Sequence, residues 1–254
     1  MSTQQILDRI LQSYNAEEFL ENDPLGLLHR YERKLDIEAI GLIASCLSCG
    51  RKGSFTKKIR RIMEVLGRTP GRQWKREVKT TARRLHDFSY RWIDNQDLRD
   101  LLYAIHSVFH KHGSLENAYE QAGGSSHVEK STQFVRMLRQ QAVRNSIERG
   151  FNYLLPDPGN GSPCKRLHMF FRWMVRPSPD MDLWSQLKPS ELIIPLDTHV
   201  HNTALEIGLT ERKTADITAA REITDALRAF DPEDPVKYDI PLHVAGVNDI
   251  PLTQ

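Results

Sequence analysis

The sequence predicts an all-α fold. Apolar residues return at the three- and four-residue spacing of a helix face along nearly the whole chain. Runs of alternating β-branched residues are missing, and the gaps between periodic stretches are rich in Gly, Pro, Ser and Asp. With 254 residues, 39% of them hydrophobic and 27% charged, the chain can bury a sizeable core in one large domain or two small ones. That composition excludes disordered, collagen-like and fibrous classes. The most apolar stretch, Leu167 to Val175, is short and interrupted by His168 and Arg172, far from the ~20 apolar residues of a membrane span. The opening MSTQQILDRI lacks a basic region followed by an apolar one, so no signal peptide is expected, and the expected compartment is the cytoplasm.

Taken in order, helical patterns cover Gln4 to Leu20, Pro24 to Arg33, Asp36 to Cys49 and Ser54 to Leu66. The clearest follows: Leu98, Leu101, Leu102, Ile105, Val108 and Phe109 form one face, with Asp94 or Asn95 as cap and Gly113 as stop. Further patterns run over Ser114 to Ala122, Val128 to Arg149, Pro163 to Val175, Thr198 to Ile207 and Thr214 to Phe230. Breaks fall at Gly123 to Ser126, Pro156 to Pro163, Pro177 to Pro179 and Asp231 to Pro235, and there is no internal repeat. The expected organisation is an N-terminal helical region, 1–124, and a C-terminal one, 125–247, or one continuous two-lobed domain. A loosely ordered tail, 248–254, completes the expectation.

Three cysteines, Cys46, Cys49 and Cys164, cannot close a disulfide framework and fit a reducing compartment. Cys46 and Cys49 have the spacing of half a metal or redox motif, but no second pair follows, and two small residues in a helix is the favoured reading. The absence of any Cys beyond position 164 excludes a four-cysteine iron-sulfur cluster near the C-terminus. The net charge of +2 hides a division along the chain. Residues 51–84 carry 13 Lys/Arg and only Glu64 and Glu77, whereas from Pro177 onward there are 6 basic and 14 acidic residues. Such sectoring predicts a basic face for a phosphate-rich partner, or equally a solvated helix surface with counter-charges nearby.

The chemistry is carried by two segments. In Phe151 to Lys165 a Leu-Leu-Pro helix end leads through Gly159-Asn160-Gly161 into a new helix, with Ser162 as the expected cap and Pro163 at the first position. Glycines opening into a helix N-terminus expose backbone N–H groups suited to a phosphate, although any tight helix-helix turn uses Gly. On the following helix Leu167, Phe170, Phe171, Met174 and Val175 share one side, while Lys165, His168, Arg172, Trp173 and Arg176 share the other. Neighbouring cations and the helix dipole lower a lysine pKa, as a nucleophilic amine requires; an ordinary wet cationic face is the alternative. The second segment, Ile193-Ile194-Pro195-Leu196-Asp197-Thr198-His199-Val200, places Asp197 as a helix cap that fixes one carboxylate oxygen and can present the other to a neighbouring site.

On the Gly-x-Gly turn, Lys165 and Pro195 to Val200, the sequence resembles the helix-hairpin-helix DNA glycosylases with a Gly/Pro-Asp loop, the endonuclease III and 8-oxoguanine glycosylase superfamily. The 32-residue separation of Lys165 and Asp197 is wider than in most members and similar to the archaeal 8-oxoguanine glycosylase branch. The C-terminal half also resembles an uncharacterised bacterial family assigned to this superfamily. The resemblance covers residues 128 to 247, and nothing specific is carried over to 36–53, where the family has a helix and a loop that probes the base stack. The hairpin Pro156 to Pro163 is longer than the usual form, and Pro241 is expected to kink a C-terminal helix.

The resemblance implies a two-lobed helix-hairpin-helix fold and a bifunctional DNA glycosylase/AP lyase of base excision repair, acting on a damaged base, with oxidised purines as the nearest substrate class. It implies that Lys165 attacks C1′ of a flipped-out nucleotide to form a Schiff base, and that Asp197 accepts a proton or stabilises charge on the sugar. Gly159, Gly161, Ser162 and His199 would then sit near phosphates. Arg172, Arg176, Arg51 and Lys52 would add salt-sensitive attraction, and Trp173 and His168 would line the base pocket, a core role being open to Trp173. The implied partner is damaged duplex DNA, bound by a monomer without cofactor, metal or iron-sulfur cluster, and nucleoid-associated if bacterial. Two rivals stand beside this reading. One is an all-α metal-dependent phosphohydrolase built on His86-Asp87, His106, His110 and His199-x-His201 near Asp197; the other is a non-catalytic helix-hairpin-helix DNA-binding protein. The glycosylase reading requires the basic segment to fold onto the face that carries Gly159 to Lys165.

Overall fold

A computed structural model describes residues 1–143, 149–248, 250 and 252, with the side chains of all of these except 72–77 and 149. Among the described residues there are fourteen α-helices, and the only extended pairing is an isolated bridge between Tyr90 and Ile93. The fold is all-α. The helices are α1 (Thr3–Ser13), α2 (Ala16–Asn22), α3 (Leu25–Leu28), α4 (Lys34–Leu47), α5 (Lys52–Leu66), α6 (Pro70–Arg84) and α7 (Asn95–His112). They continue as α8 (Leu115–Glu120), α9 (His127–Gln140), α10 (Arg149–Leu154), α11 (Lys165–Val175), α12 (Thr198–Glu206), α13 (Ile217–Arg228) and α14 (Asp239–Val247).

Local chemistry explains where these helices start and stop. Asn15 accepts from the N–H groups of Glu17 and Glu18 at 3.0 and 3.2 Å, which divides the expected Gln4 to Leu20 helix into α1 and α2. Asp94 caps α7 reciprocally with Asp97, and Gly113 ends it with φ of 81°. The stretch from Pro24 to Arg33 yields only the short α3. The sequence marks no helix over α6, where only the density of cations stands out. Of the expected Val128 to Arg149 helix, α9 accounts for the first part, and 144–148 lie outside the described residues.

The core is built around α4 and α11. Almost every residue of α4 is buried, and α11 packs along it at a point where α4 has no side chain. A Cβ on Gly41 would lie 2.9 Å from Met174 Cε and 3.5 Å from the Phe170 ring. Phe171 on α11 then meets Tyr119, Phe134, Phe170 and Trp184 with ring centroids 5.1 to 5.8 Å apart, the range of favourable aromatic pairing. The far end of α11 is anchored by charge. Arg172 pairs with Asp239 and, at 3.3 Å, with Asp180; Arg176 pairs with Asp180 at 2.9 Å and with Asp234 at 2.8 Å. These buried pairs tie α11 to the loop after it and to the first turn of α14. Burial opposes the charge on Arg172, but Asp180 and Asp239 outweigh it and push the guanidinium above its ordinary range.

Pro241 lies in the first turn of α14, where its missing N–H costs no ladder hydrogen bond, so the expected disruption does not follow. Nor is the chain loose throughout after Asn248. Leu252 is buried, and Arg9 donates to its carbonyl at 3.1 Å, docking this end on α1; Asp249, Pro251, Thr253 and Gln254 lie outside the described residues.

Candidate active site

Helix α11 begins two residues later than the sequence suggests. Its cap is Cys164, buried and in the left-handed region at φ 43°, ψ 41°, while the Ser162 hydroxyl accepts from the Cys164 N–H at 3.3 Å. A non-glycine residue there costs about 1 kcal/mol and is a recurrent feature of functional turns. The consequence is that Lys165 is the first residue of α11 rather than the third, so its side chain leaves from the end of the helix.

Asp197 caps α12 as expected, its Oδ1 accepting from the Val200 N–H at 2.9 Å. The other oxygen, Oδ2, lies 3.1 Å from Lys165 Nζ and 3.0 Å from His243 Nδ1. Lys165, Asp197 and His243 therefore converge on one carboxylate oxygen from the ends of two helices and the middle of a third. Burial works against ionisation of Asp197, but the close approach of His243 and Lys165 and the hydrogen bond from the Val200 N–H together hold its carboxyl well below the usual carboxylate range. His243 was missed by sequence reasoning. It lies 46 residues beyond Asp197 on a helix that the periodicity did not mark, and no local spacing connects the two.

The three side chains line an open cleft of about 1190 Å³. One wall comes from the α1–α2 junction with Tyr14 and Asn15 and from the α4–α5 junction with Cys49, Lys52 and Phe55. Tyr153, Ser162 and the first turn of α11 line it as well. The wall at Tyr153 is stiffened by stacking. Trp92 lies on Tyr153 with centroids 5.1 Å apart, the Arg91 guanidinium covers Trp92 at 4.3 Å, and that of Arg166 covers Tyr153 at 4.2 Å. Arg166 also donates to the carbonyls of Cys46 and Tyr153, so the first turn of α11 is fixed to both α4 and α10.

Several expected site residues are placed elsewhere. Arg172 and Arg176 are 3% and 7% exposed and paired with Asp180, Asp234 and Asp239, so neither is available to a phosphate. Trp173 and His168 are buried in the core rather than lining the cleft. His168 stands beside His127 with centroids 5.4 Å apart, and burial pushes its pKa down to about 4. The physical reason is common to all four: α11 is covered on both faces, the two arginines being paired with acids, while the His168 ring nitrogens and Trp173 Nε1 are buried without a hydrogen-bond partner.

The hairpin differs too. Asp157 Oδ1 takes the Gly159 N–H at 2.8 Å, the Asp157 carbonyl takes that of Asn160 at 3.1 Å, and the Pro158 carbonyl takes that of Gly161 at 3.1 Å. These donors close a short 3₁₀ turn instead of pointing outward, contrary to the phosphate-binding role expected of Gly159 and Gly161. Gly161 adopts φ of 82° and its carbonyl accepts from Ile217 at 3.2 Å, which backs the hairpin on α13. Ser162 and Lys52 do line the cleft, His199 lines it with its ring Nδ1 donating to the Gly246 carbonyl at 3.2 Å, and Arg51 is exposed at the cleft end of α5. The basic segment thus starts at the cleft with Arg51 and Lys52. Beyond them Lys57, Arg60 and Arg61 on α5, Arg68 in the turn that follows and Lys79, Arg83 and Arg84 on α6 are exposed without lining the cleft; the side chains of Arg72, Lys75 and Arg76 lie outside those described.

The residues of the metal alternative do not assemble. Asp87 is held by Arg61 at 2.6 and 2.8 Å, His86 faces the Arg83 carbonyl, and His201 donates to the Arg212 carbonyl at 2.8 Å. Among the described residues no three His, Cys, Asp or Glu side chains converge as metal ligands, and no helix is long and apolar enough to cross a membrane.

A family model described as a protein of unknown function (DUF2400) matches residues 23–248, and the chain belongs to that family. No curated protein and no solved structure matches it.

Proposed function

We propose that this DUF2400 protein is a DNA glycosylase with AP lyase activity, using Lys165 as nucleophile and Asp197 as its partner. The observation that carries this reading is the 3.1 Å approach of Lys165 Nζ to Asp197 Oδ2 at the wall of a cleft wide enough for a nucleotide turned out of a duplex. An amine at a helix start, next to a fixed carboxylate and open to a large cleft, suits attack on an electrophilic sugar carbon. The amine nitrogen bonds to C1′ as the C1′–base bond breaks; ring opening gives an imine, and loss of the C2′ proton with departure of the 3′ phosphate cuts the strand. Asp197 stabilises the positive charge that develops on the sugar. Turning the base out costs about a few kcal/mol and costs least at damaged pairs, which favours a lesion as substrate. Oxidised purines are the first lesions to test.

DNA would be held by exposed cations at the cleft, Arg51 and Lys52, with Ser162 and His199 also lining it and the exposed lysines and arginines of α5 and α6 giving longer-range attraction. The test is borohydride trapping on duplexes carrying 8-oxoguanine, uracil, alkylated bases or abasic sites. A covalent adduct is expected with wild type and none with Lys165→Gln; an adduct that survives Lys165→Gln refutes the assignment. Asp197→Asn should lower turnover about 100-fold or more with DNA affinity retained.

A further inference from the structure

We propose that His243 is a positioning residue that takes over the countercharge of Asp197 when Lys165 gives up its proton. The inference rests on Lys165 being the nucleophile of the proposed reaction.

The geometry sets the problem. Lys165 and His243 approach the same oxygen, Oδ2, at 3.1 and 3.0 Å, while Oδ1 is committed to the Val200 N–H. An ammonium on Lys165 is enough to balance a carboxylate on Asp197, so His243 need carry no charge while Lys165 holds its proton. An ammonium has no lone pair and cannot attack carbon, so Lys165 must lose one proton first. The Asp197 side chain is only 19% exposed. Removing its one positive neighbour would leave a poorly solvated carboxylate without a partner, which opposes the deprotonation. The low proton affinity of Asp197 makes it a poor store for the proton itself.

His243 resolves this. One N–H bond at Lys165 Nζ breaks and one at His243 Nδ1 forms, by way of Oδ2; the total charge is unchanged and Asp197 keeps a cationic neighbour throughout. The imidazole is 33% exposed, so the proton can later pass to water. Histidine suits the task because its two forms interconvert near neutral pH.

One other carboxylate, Asp239, interacts electrostatically with both His243 and Lys165. Asp239, one turn before His243 on α14, is engaged by Arg172. From α12, His199 meets the His243 ring edge-on with centroids 5.7 Å apart and is tied to the Gly246 carbonyl. Helix α1, which also packs on α14, brings Asp8 and Arg9, bonded to Gln4 and the Leu252 carbonyl, and the segment before α14 brings Lys237, paired with Asp231. Lys165 and Asp197 complete the charged set around the ring.

The test needs no DNA. Reductive methylation by formaldehyde and cyanoborohydride, read lysine by lysine by mass spectrometry from pH 6 to 9.5, reports how readily Lys165 presents a neutral amine. Relative to wild type, His243→Gln should slow labelling of Lys165 at pH 7 at least fivefold, with the deficit closing as pH rises and other lysines unaffected. His243→Arg, which keeps a permanent cation on Asp197, should restore labelling at pH 7. Equal labelling of Lys165 in wild type and His243→Gln across the range, or a loss in His243→Arg as deep as in His243→Gln with both folded by circular dichroism, overturns the proposal. Borohydride trapping of the wild type on abasic DNA runs alongside: an absent adduct there with the labelling pattern intact removes the glycosylase reading and leaves the role of His243 standing.

Discussion

At Asp197 one carboxylate oxygen closes the first turn of α12 while the other faces Lys165 and His243, so substitutions there separate structure from chemistry. Asn is as good a helix cap as Asp, so Asp197→Asn should shift the thermal midpoint little, whereas Asp197→Ala should cost about 1 kcal/mol of stability; calorimetry distinguishes them. The pH dependence of stability has a definite sign. The folded-state carboxyl of Asp197 is held below its unfolded value, so its contribution is complete above about pH 4, the unfolded aspartate range, and is lost as pH falls through the lower folded value. Thermal melts from pH 6 to 3 should show this loss in the wild type and a shallower one in Asp197→Asn. That Lys165 and Asp197 belong to one site was implied by the family resemblance, which rests on local signatures, a Gly-x-Gly turn and a Pro-Leu-Asp cap, that neither residue's surroundings would single out alone. His243 was not legible, since its place depends on how α14 lies across α12.

Helices position these residues through close approaches. On α14, a Cβ added to Gly246 would meet Thr203 Oγ1 at 2.7 Å and the His199 carbonyl at 3.0 Å, both on α12. Gly246→Val should destabilise the fold by about 1–3 kcal/mol and draw His243 away from Asp197, measurable as a lower unfolding midpoint together with slower labelling of Lys165. Helix α4 supplies a different kind of test. Its Glu38 accepts from the N–H groups of Leu115 and Glu116 at 2.8 and 3.2 Å and from Trp184 Nε1 at 2.9 Å, and burial nonetheless pushes its carboxyl up to about 7. Between the unfolded glutamate value, about 4.3, and about 7 the folded protein holds a proton that the unfolded chain has released. Stability should therefore fall as pH rises across that window and level off above it, and Glu38→Gln should flatten the slope in denaturant titrations. Helix boundaries were readable where a cap was present, as at Asp94 and Asp197. The exposure of α11 was misjudged because its two buried arginines are paired with Asp180, Asp234 and Asp239, 58 to 67 residues away for the last two.

Across the whole molecule, the charge division seen in the sequence meets the cleft at one end only. Arg51 and Lys52 stand at its rim and the remaining described cations of 51–84 lie on α5, α6 and the turn between them without lining the cleft. Binding to duplex DNA, measured by fluorescence anisotropy, should weaken steeply with added salt, and Lys52→Ala combined with Arg51→Ala should lower affinity and reduce the salt slope by about 1 to 2. The all-α class followed directly from periodicity. The convergence of α11, α12 and α14 on one oxygen did not, because it is a product of tertiary packing that no window of sequence contains. Trapping at Lys165 is the most direct measurement of the central claim. Wild-type protein, incubated with borohydride and a duplex bearing an abasic site or one of the lesions, should form a covalent complex whose peptide map places the reduced sugar on Lys165. An adduct on another lysine, or no adduct with any of these substrates, would contradict it.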